Sequence, residues 1–129
     1  MRAALYLASR GLGRTCPNPA VGCVIVKDDI VVGRGWTSNN GRPHAEANAI
    51  HMAGVLAKGA TAYITLEPCS TSASKTSCVE KIINSGIKRV VVPILDPNPK
   101  ISGMGLQELK LKSIDIALGI HSDIGKYMN

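Results

Sequence analysis

The chain of 129 residues contains no phenylalanine, one tryptophan and three tyrosines. Proteins that stack bases need an aromatic platform, and this sequence shows none. Without those rings the core must be packed from Val, Ile, Leu, Ala and Met. No apolar run approaches the ~18 to 20 residues that carry a helix across a bilayer, so no membrane partner is expected. Repeats, low-complexity tracts and linkers are also missing, which leaves one domain, residues 1–129, as the expected organisation. Acids are few: nine stand against fifteen Lys and Arg, for a formal charge of +6. That balance favours an anionic partner, whether a nucleic acid, a membrane surface or a small phosphorylated substrate. The basic residues are scattered rather than gathered in a run, which argues against a nucleic-acid arm and reads as a solvated basic surface.

What is present has the proportions of a globular protein, 45% apolar and 19% charged. The first fourteen residues hold three Arg and no acid, as a transit peptide would. Ala3, Ala4, Leu7 and Ala8 nevertheless form an apolar stripe at helical spacing, which reads as a docked first helix. Two prolines then stiffen the loop 15–19 and display Asn18. Residues 20–26 and 30–36 pair as a hairpin, with Gly33 and Gly35 marking a bulge or the close approach of another backbone. A helix is predicted over 43–58 with Ala49, Met52, Ala53 and Leu56 on its core face, then a strand over 60–66. Thr76 or Ser77 can cap a helix over 78–85 that Gly86 ends. A strand over 87–94, a helix over 105–112 and a strand over 113–118 complete the alternation. This order predicts an α/β protein, a three-layer α/β/α sandwich on a five-stranded mixed sheet whose later strands are parallel.

The chemistry concentrates in Pro43-His44-Ala45-Glu46, Glu67-Pro68-Cys69 and Cys78. One imidazole, two thiols and a nearby carboxylate are what a catalytic zinc needs: three protein ligands, an open position for water and an acid/base group. Residues two apart on a regular helix point about 200° away from each other, so His44 and Glu46 converge only at a helix start, where Pro43 places them. Helix N-termini near Cys69 and Cys78 would favour the thiolate forms that bind metal. Zinc lowers the pKa of a bound water toward about 7, and Glu46 is positioned to move its proton. The His-x-Glu and Pro-Cys…Cys arrangement fits hydrolytic deamination of a nucleobase. A closed structural zinc would need a fourth ligand. The nearest candidate, His51, lies about 10 Å along the helix from His44. Four cysteines also permit three disulfide pairings, but zinc is the better use of two of them, which implies a reducing cytoplasm. Cys16 and Cys23 read as small buried hydrophobes.

The segments TCPNPAVGCVIV, RPHAEANAI, GATAYITLEPCS, INSGIKRVVV and DPNPKISGMG, with a second cysteine after eight intervening residues, cover nearly the whole chain. In them the sequence resembles the deaminase domain of the bifunctional deaminase/reductases of riboflavin biosynthesis, the diaminohydroxyphosphoribosylaminopyrimidine deaminases. The wide spacing from Cys69 to Cys78 separates it from the tighter Pro-Cys-x-x-Cys of cytidine, adenosine and guanine deaminases. The resemblance implies a cytidine-deaminase-like fold, zinc on His44, Cys69 and Cys78, and Glu46 as proton shuttle. It further implies that Asn18, Asp96 and Asn98 contact the pyrimidine or the ribose phosphate.

Departures from the family pattern gather where the substrate would lie. Thr71, Ser74, Thr76 and Ser77 replace a His-containing loop with a basic residue and a Pro-Pro pair, and Thr37 stands for a usual histidine. Lys75, one residue from the usual basic position, is the candidate to replace that charge. Two alternatives follow: a deaminase of another nucleobase, nucleoside or nucleotide, and a non-catalytic zinc-binding partner subunit. No reductase domain falls within these residues, so the chain is expected to be either a stand-alone deaminase or a fragment, with a homo-oligomer or a separate reductase protein as the candidate partners. No nicotinamide cofactor is expected.

Overall fold

The structure, a computed structural model, describes residues 4, 21–37, 45–68, 77–93 and 103–118. Strands β1 (Gly22–Lys27) and β2 (Ile30–Trp36) form the expected hairpin, turned at Asp28 and Asp29, both at positive φ. Helix α1 (Ala45–Ala53) tightens into a 3-10 turn (Gly54–Ala57) before β3 (Thr61–Ile64). Two further units follow, α2 (Cys78–Ser85) with β4 (Arg89–Val92) and α3 (Met104–Leu111) with β5 (Asp115–Leu118). The sheet order is β2-β1-β3-β4-β5. β1 runs antiparallel to both neighbours, while β3, β4 and β5 are parallel, as the crossover helices require.

The core is aliphatic. Cys23, Ile25, Ile64, Val90 and Val92 from the sheet pack with Ala49, Val79, Ile82, Leu106 and Leu109 from the three helices. On the opposite face helical Ala4 is buried against Val24, with Val26 and Tyr63 beside it, and the rest of the expected first helix lies outside the described residues. Cys23 is 1% exposed and behaves as the small core residue expected of it, whereas Cys16 lies outside the described residues.

The core face of α1 differs from the expectation. Ala45, Glu46, Ala49 and Ala53 are buried, but Met52 and Leu56 are 60% and 50% exposed. The reason lies in β2. A Cβ at Gly35 would stand 2.6 Å from the Ala45 carbonyl oxygen and 2.7 Å from the Ala49 nitrogen, and one at Gly33 would collide with the Ala49 carbonyl oxygen. Two glycines facing a stripe of alanines bring the helix backbone onto the strand, and larger side chains are turned outward. The helix then ends at Ala53, so the phase that would have buried Leu56 is lost in the 3-10 turn.

Strand directions gather one end of the molecule. β2, β3, β4 and β5 all finish on the edge where β1 begins, and each helix starts there. At the other edge the turns are stitched by backbone bonds: Gly59 N–H donates to the Gly86 carbonyl (2.8 Å), Lys88 N–H to Ala60 (3.0 Å) and Asp115 N–H to Lys88 (2.9 Å). That end is stitched by main chain, and the opposite end gathers the helix starts where the proposed site residues fall.

Candidate active site

At that end α1 and α2 present their first turns. Glu46, one residue into α1, is 3% exposed, and Cys78, the first residue of α2, is a buried thiol at 2%. α1 is held in place by the close approach to β2 and by Asn48, whose side-chain amide donates to the Trp36 carbonyl at 2.7 Å. Ser77 caps α2, accepting from Glu80 N–H at 3.1 Å, and Gly86 closes it in the left-handed region at φ 83°. Of the two capping candidates Ser77 is the one used. Cys78 thus occupies the first helical position, where the positive end of the helix dipole favours an anionic sulfur.

His44, which precedes Ala45, and Cys69, which follows Pro68, lie outside the described residues, as do Asn18, Lys75, Asp96, Asn98, Thr71, Ser74 and Thr76. His51 is exposed in the last turn of α1, away from the helix start, so it is no fourth ligand to a site built around Cys78. Among the described groups the donor chemistry fits zinc: a buried thiol at a helix start, beside a helix whose first turn buries a carboxylate.

Cys23 lies on β1 opposite Gly35 and Ile64. Its burial, and then the negative charge of Glu46, push its thiol well above the usual thiol range. It stays protonated beneath Glu46, unsuited to compete for metal or to act as a nucleophile.

Three polar residues of this edge were given no structural role by the sequence. Thr37 is 2% exposed; its hydroxyl accepts from Val21 N–H at 3.0 Å, and its own N–H donates to the Val21 carbonyl at 3.0 Å. Thr65 does the same for the next residue, its hydroxyl accepting from Gly22 N–H at 3.0 Å and its N–H donating to Gly22 at 3.1 Å. Together they clasp the start of β1. Thr37 and Ser77, two of the departures from the family pattern, therefore serve the backbone. Glu67 is 6% exposed and reaches across to α3: Oε1 accepts from Gly103 N–H at 2.8 Å, and Oε2 from Gly105 N–H at 2.9 Å and Leu106 N–H at 3.4 Å. The only signal in the sequence was a charged residue closing an apolar strand, with partners 36 to 39 positions away.

Residues 1–94 match the family model of the cytidine and deoxycytidylate deaminase zinc-binding region. The diaminohydroxyphosphoribosylamino-pyrimidine deaminase of Buchnera aphidicola subsp. Schizaphis graminum is 50% identical over 122 residues, which are 95% of this chain and 83% of that protein. The chain belongs to this deaminase family. The riboflavin biosynthesis protein RibD of Escherichia coli (strain K12) is 48% identical over 129 residues, and this chain spans about a third (35%) of its length. The solved structure of Acinetobacter baumannii RibD has a TM-score of 0.94 at 47% identity, covering 99% of this chain and 36% of that one. The enzyme class, a zinc-dependent deaminase on a cytidine-deaminase-like fold, agrees with the reading of the His-x-Glu and Pro-Cys…Cys motifs. No helix among the described residues is long and apolar enough to cross a membrane.

Proposed function

We propose that this chain deaminates diaminohydroxyphosphoribosylaminopyrimidine to the aminouracil ribosyl phosphate, with release of ammonia, in riboflavin biosynthesis. The observation that carries the reading is the buried carboxylate of Glu46 in the first turn of α1, within a chain 50% identical to a deaminase of that name. His44, Cys69 and Cys78 hold zinc. Bound there, the metal supplies an activated water near neutral pH. Glu46 takes a proton from the attacking water at a carboxylate oxygen as the water oxygen bonds to the ring carbon. That proton passes to the adjacent ring nitrogen, and Glu46 then moves the remaining hydroxyl proton to the amino nitrogen on the same carbon. The carbon–nitrogen bond breaks, ammonia leaves and a ring carbonyl remains. Burial keeps this exchange away from bulk water, so the proton passes between the carboxylate and the substrate.

Asn18, Asp96 and Asn98 orient the pyrimidine and its ribose phosphate. With Thr37 engaged on Val21 and Ser77 capping α2, the phosphate charge falls to Lys75. The 129 residues act as one deaminase domain in the cytoplasm, where the cysteines remain thiols. The test is ammonia release by the zinc-loaded chain from the diaminopyrimidine ribosyl phosphate, set against cytosine, cytidine, dCMP, guanine and adenine. The phosphorylated diaminopyrimidine is expected to be turned over fastest. Turnover of a different base rejects the substrate, and no turnover of any, with zinc bound one to one, leaves the non-catalytic partner subunit.

A further inference from the structure

Glu67 carries a role beyond these assignments. A buried carboxylate is costly unless its oxygens are hydrogen-bonded, and this one is satisfied by backbone amides at the start of α3. That helix lacks a local cap: its N-cap is Gly103, in the left-handed region at φ 83°, with no side chain to offer. The cap comes instead from the residue two positions before Cys69. Pro68 stands between them, buried, and a Cβ at Gly105 would collide with its carbonyl oxygen. The strand end leading into Cys69 is thus pressed onto α3 by side chain and main chain together. α3 in turn follows the segment that carries Asp96 and Asn98.

Resting on the deaminase reading above, we propose that Glu67 is a positioning residue. Its carboxylate locks the Cys69-bearing strand end onto the start of α3, so that the metal-ligand segment and the substrate segment keep one register. A cap that served only α3 would be met by Ser or Asp at position 103. Placing it at position 67 ties two separate segments of the site to each other. Glu67→Gln keeps the shape but turns a donor amide toward one set of backbone N–H groups, opening half of the joint. Gly105→Ala pushes on the same joint from the other side.

The test uses the full zinc-loaded chain and two readouts: the rate at which zinc passes to a chromogenic chelator, and kcat and KM for ammonia release. Ile87→Ala, in the core at the opposite edge, serves as a stability control. Supporting groups around metal ligands typically change affinity or activity by about 10- to 100-fold. Glu67→Gln and Gly105→Ala are each expected to release zinc at least about tenfold faster and to raise KM more than they lower kcat. Combined, they should change both by less than the product, because one joint is lost only once. Ile87→Ala should lower Tm without either change. Zinc release and KM at wild-type values in Glu67→Gln, or changes no larger than those of Ile87→Ala at equal Tm loss, overturn the proposal. A wild-type chain that releases no ammonia rejects the substrate reading instead, and the zinc-release comparison then decides the role of Glu67.

Discussion

Adding one methyl group at Gly35 tests whether the position of α1 governs activity. The new Cβ would lie 2.6 Å from the Ala45 carbonyl oxygen, 2.7 Å from the Ala49 nitrogen and 2.8 Å from the Asn48 Cβ. Two of the three are main-chain atoms, so no rotamer change relieves the overlap. Recovering an ordinary contact of about 3.4 Å moves the helix start by roughly 0.8 Å, and Glu46, bonded to Ala45, moves with it. Overpacking of this kind costs about 1–3 kcal/mol. A displacement of about 1 Å at a reacting group can cost about 10²-fold, or ~2.7 kcal/mol of barrier. The assay is kcat for ammonia release at matched zinc content, alongside Tm. Gly54→Ala is the companion variant: nothing lies within 4 Å of its Cβ, but its φ of +56° strains any side chain, so it should lose Tm and keep kcat. Gly35→Ala with wild-type kcat, or with a kcat loss no greater than that of Gly54→Ala, would refute the link between helix seating and catalysis.

Replacing the Glu46 carboxylate with the amide in Glu46→Gln should preserve zinc content while lowering kcat by about 10²- to 10⁴-fold, the usual range for an acid/base group. Comparable activity removes Glu46 from proton transfer. Ser77→Ala deletes the α2 cap and should cost about 0.5–2 kcal/mol in chemical denaturation, with zinc retained; an unchanged midpoint would show the cap to be idle. Cys23 bears on alkaline stability. Its thiol pKa is raised in the folded state, so above the ordinary thiol pKa of about 8.5 the unfolded chain releases a proton that the folded chain retains. The contribution is complete below that value and is lost as pH rises toward the folded pKa. Tm should therefore fall less steeply between about pH 8 and 10 in Cys23→Ala than in wild type, and parallel slopes contradict the assignment.

Local signals located the elements well. Ser77 and Gly86 bracket α2 at the predicted residues because cap and stop both act within one turn of the helix. The hairpin followed from two apolar runs about a short acidic turn, and the parallel order of β3, β4 and β5 from the alternation of strands and helices. The core face of α1 was misread at Met52 and Leu56, since a hydrophobicity pattern rewards large side chains. Here the governing fact is steric, the glycines of a strand admitting only alanines. Of the proposed site residues, Glu46 and Cys78 are buried at the helix starts expected of them. Thr37, Thr65 and Glu67 could not be given structural roles, because each bonds to backbone 16 to 43 positions away and nothing periodic marks such a partner.

The match to the family model ends at residue 94, yet the amides that satisfy Glu67 belong to residues 103–106. A module excised at residue 94 for transplantation or minimisation would keep every proposed metal ligand. It would also leave a carboxylate facing water where α3 should be, with the strand end behind it unbraced. On the proposed role of Glu67, a transferable unit extends past residue 94 through α3 and the strand that seats it.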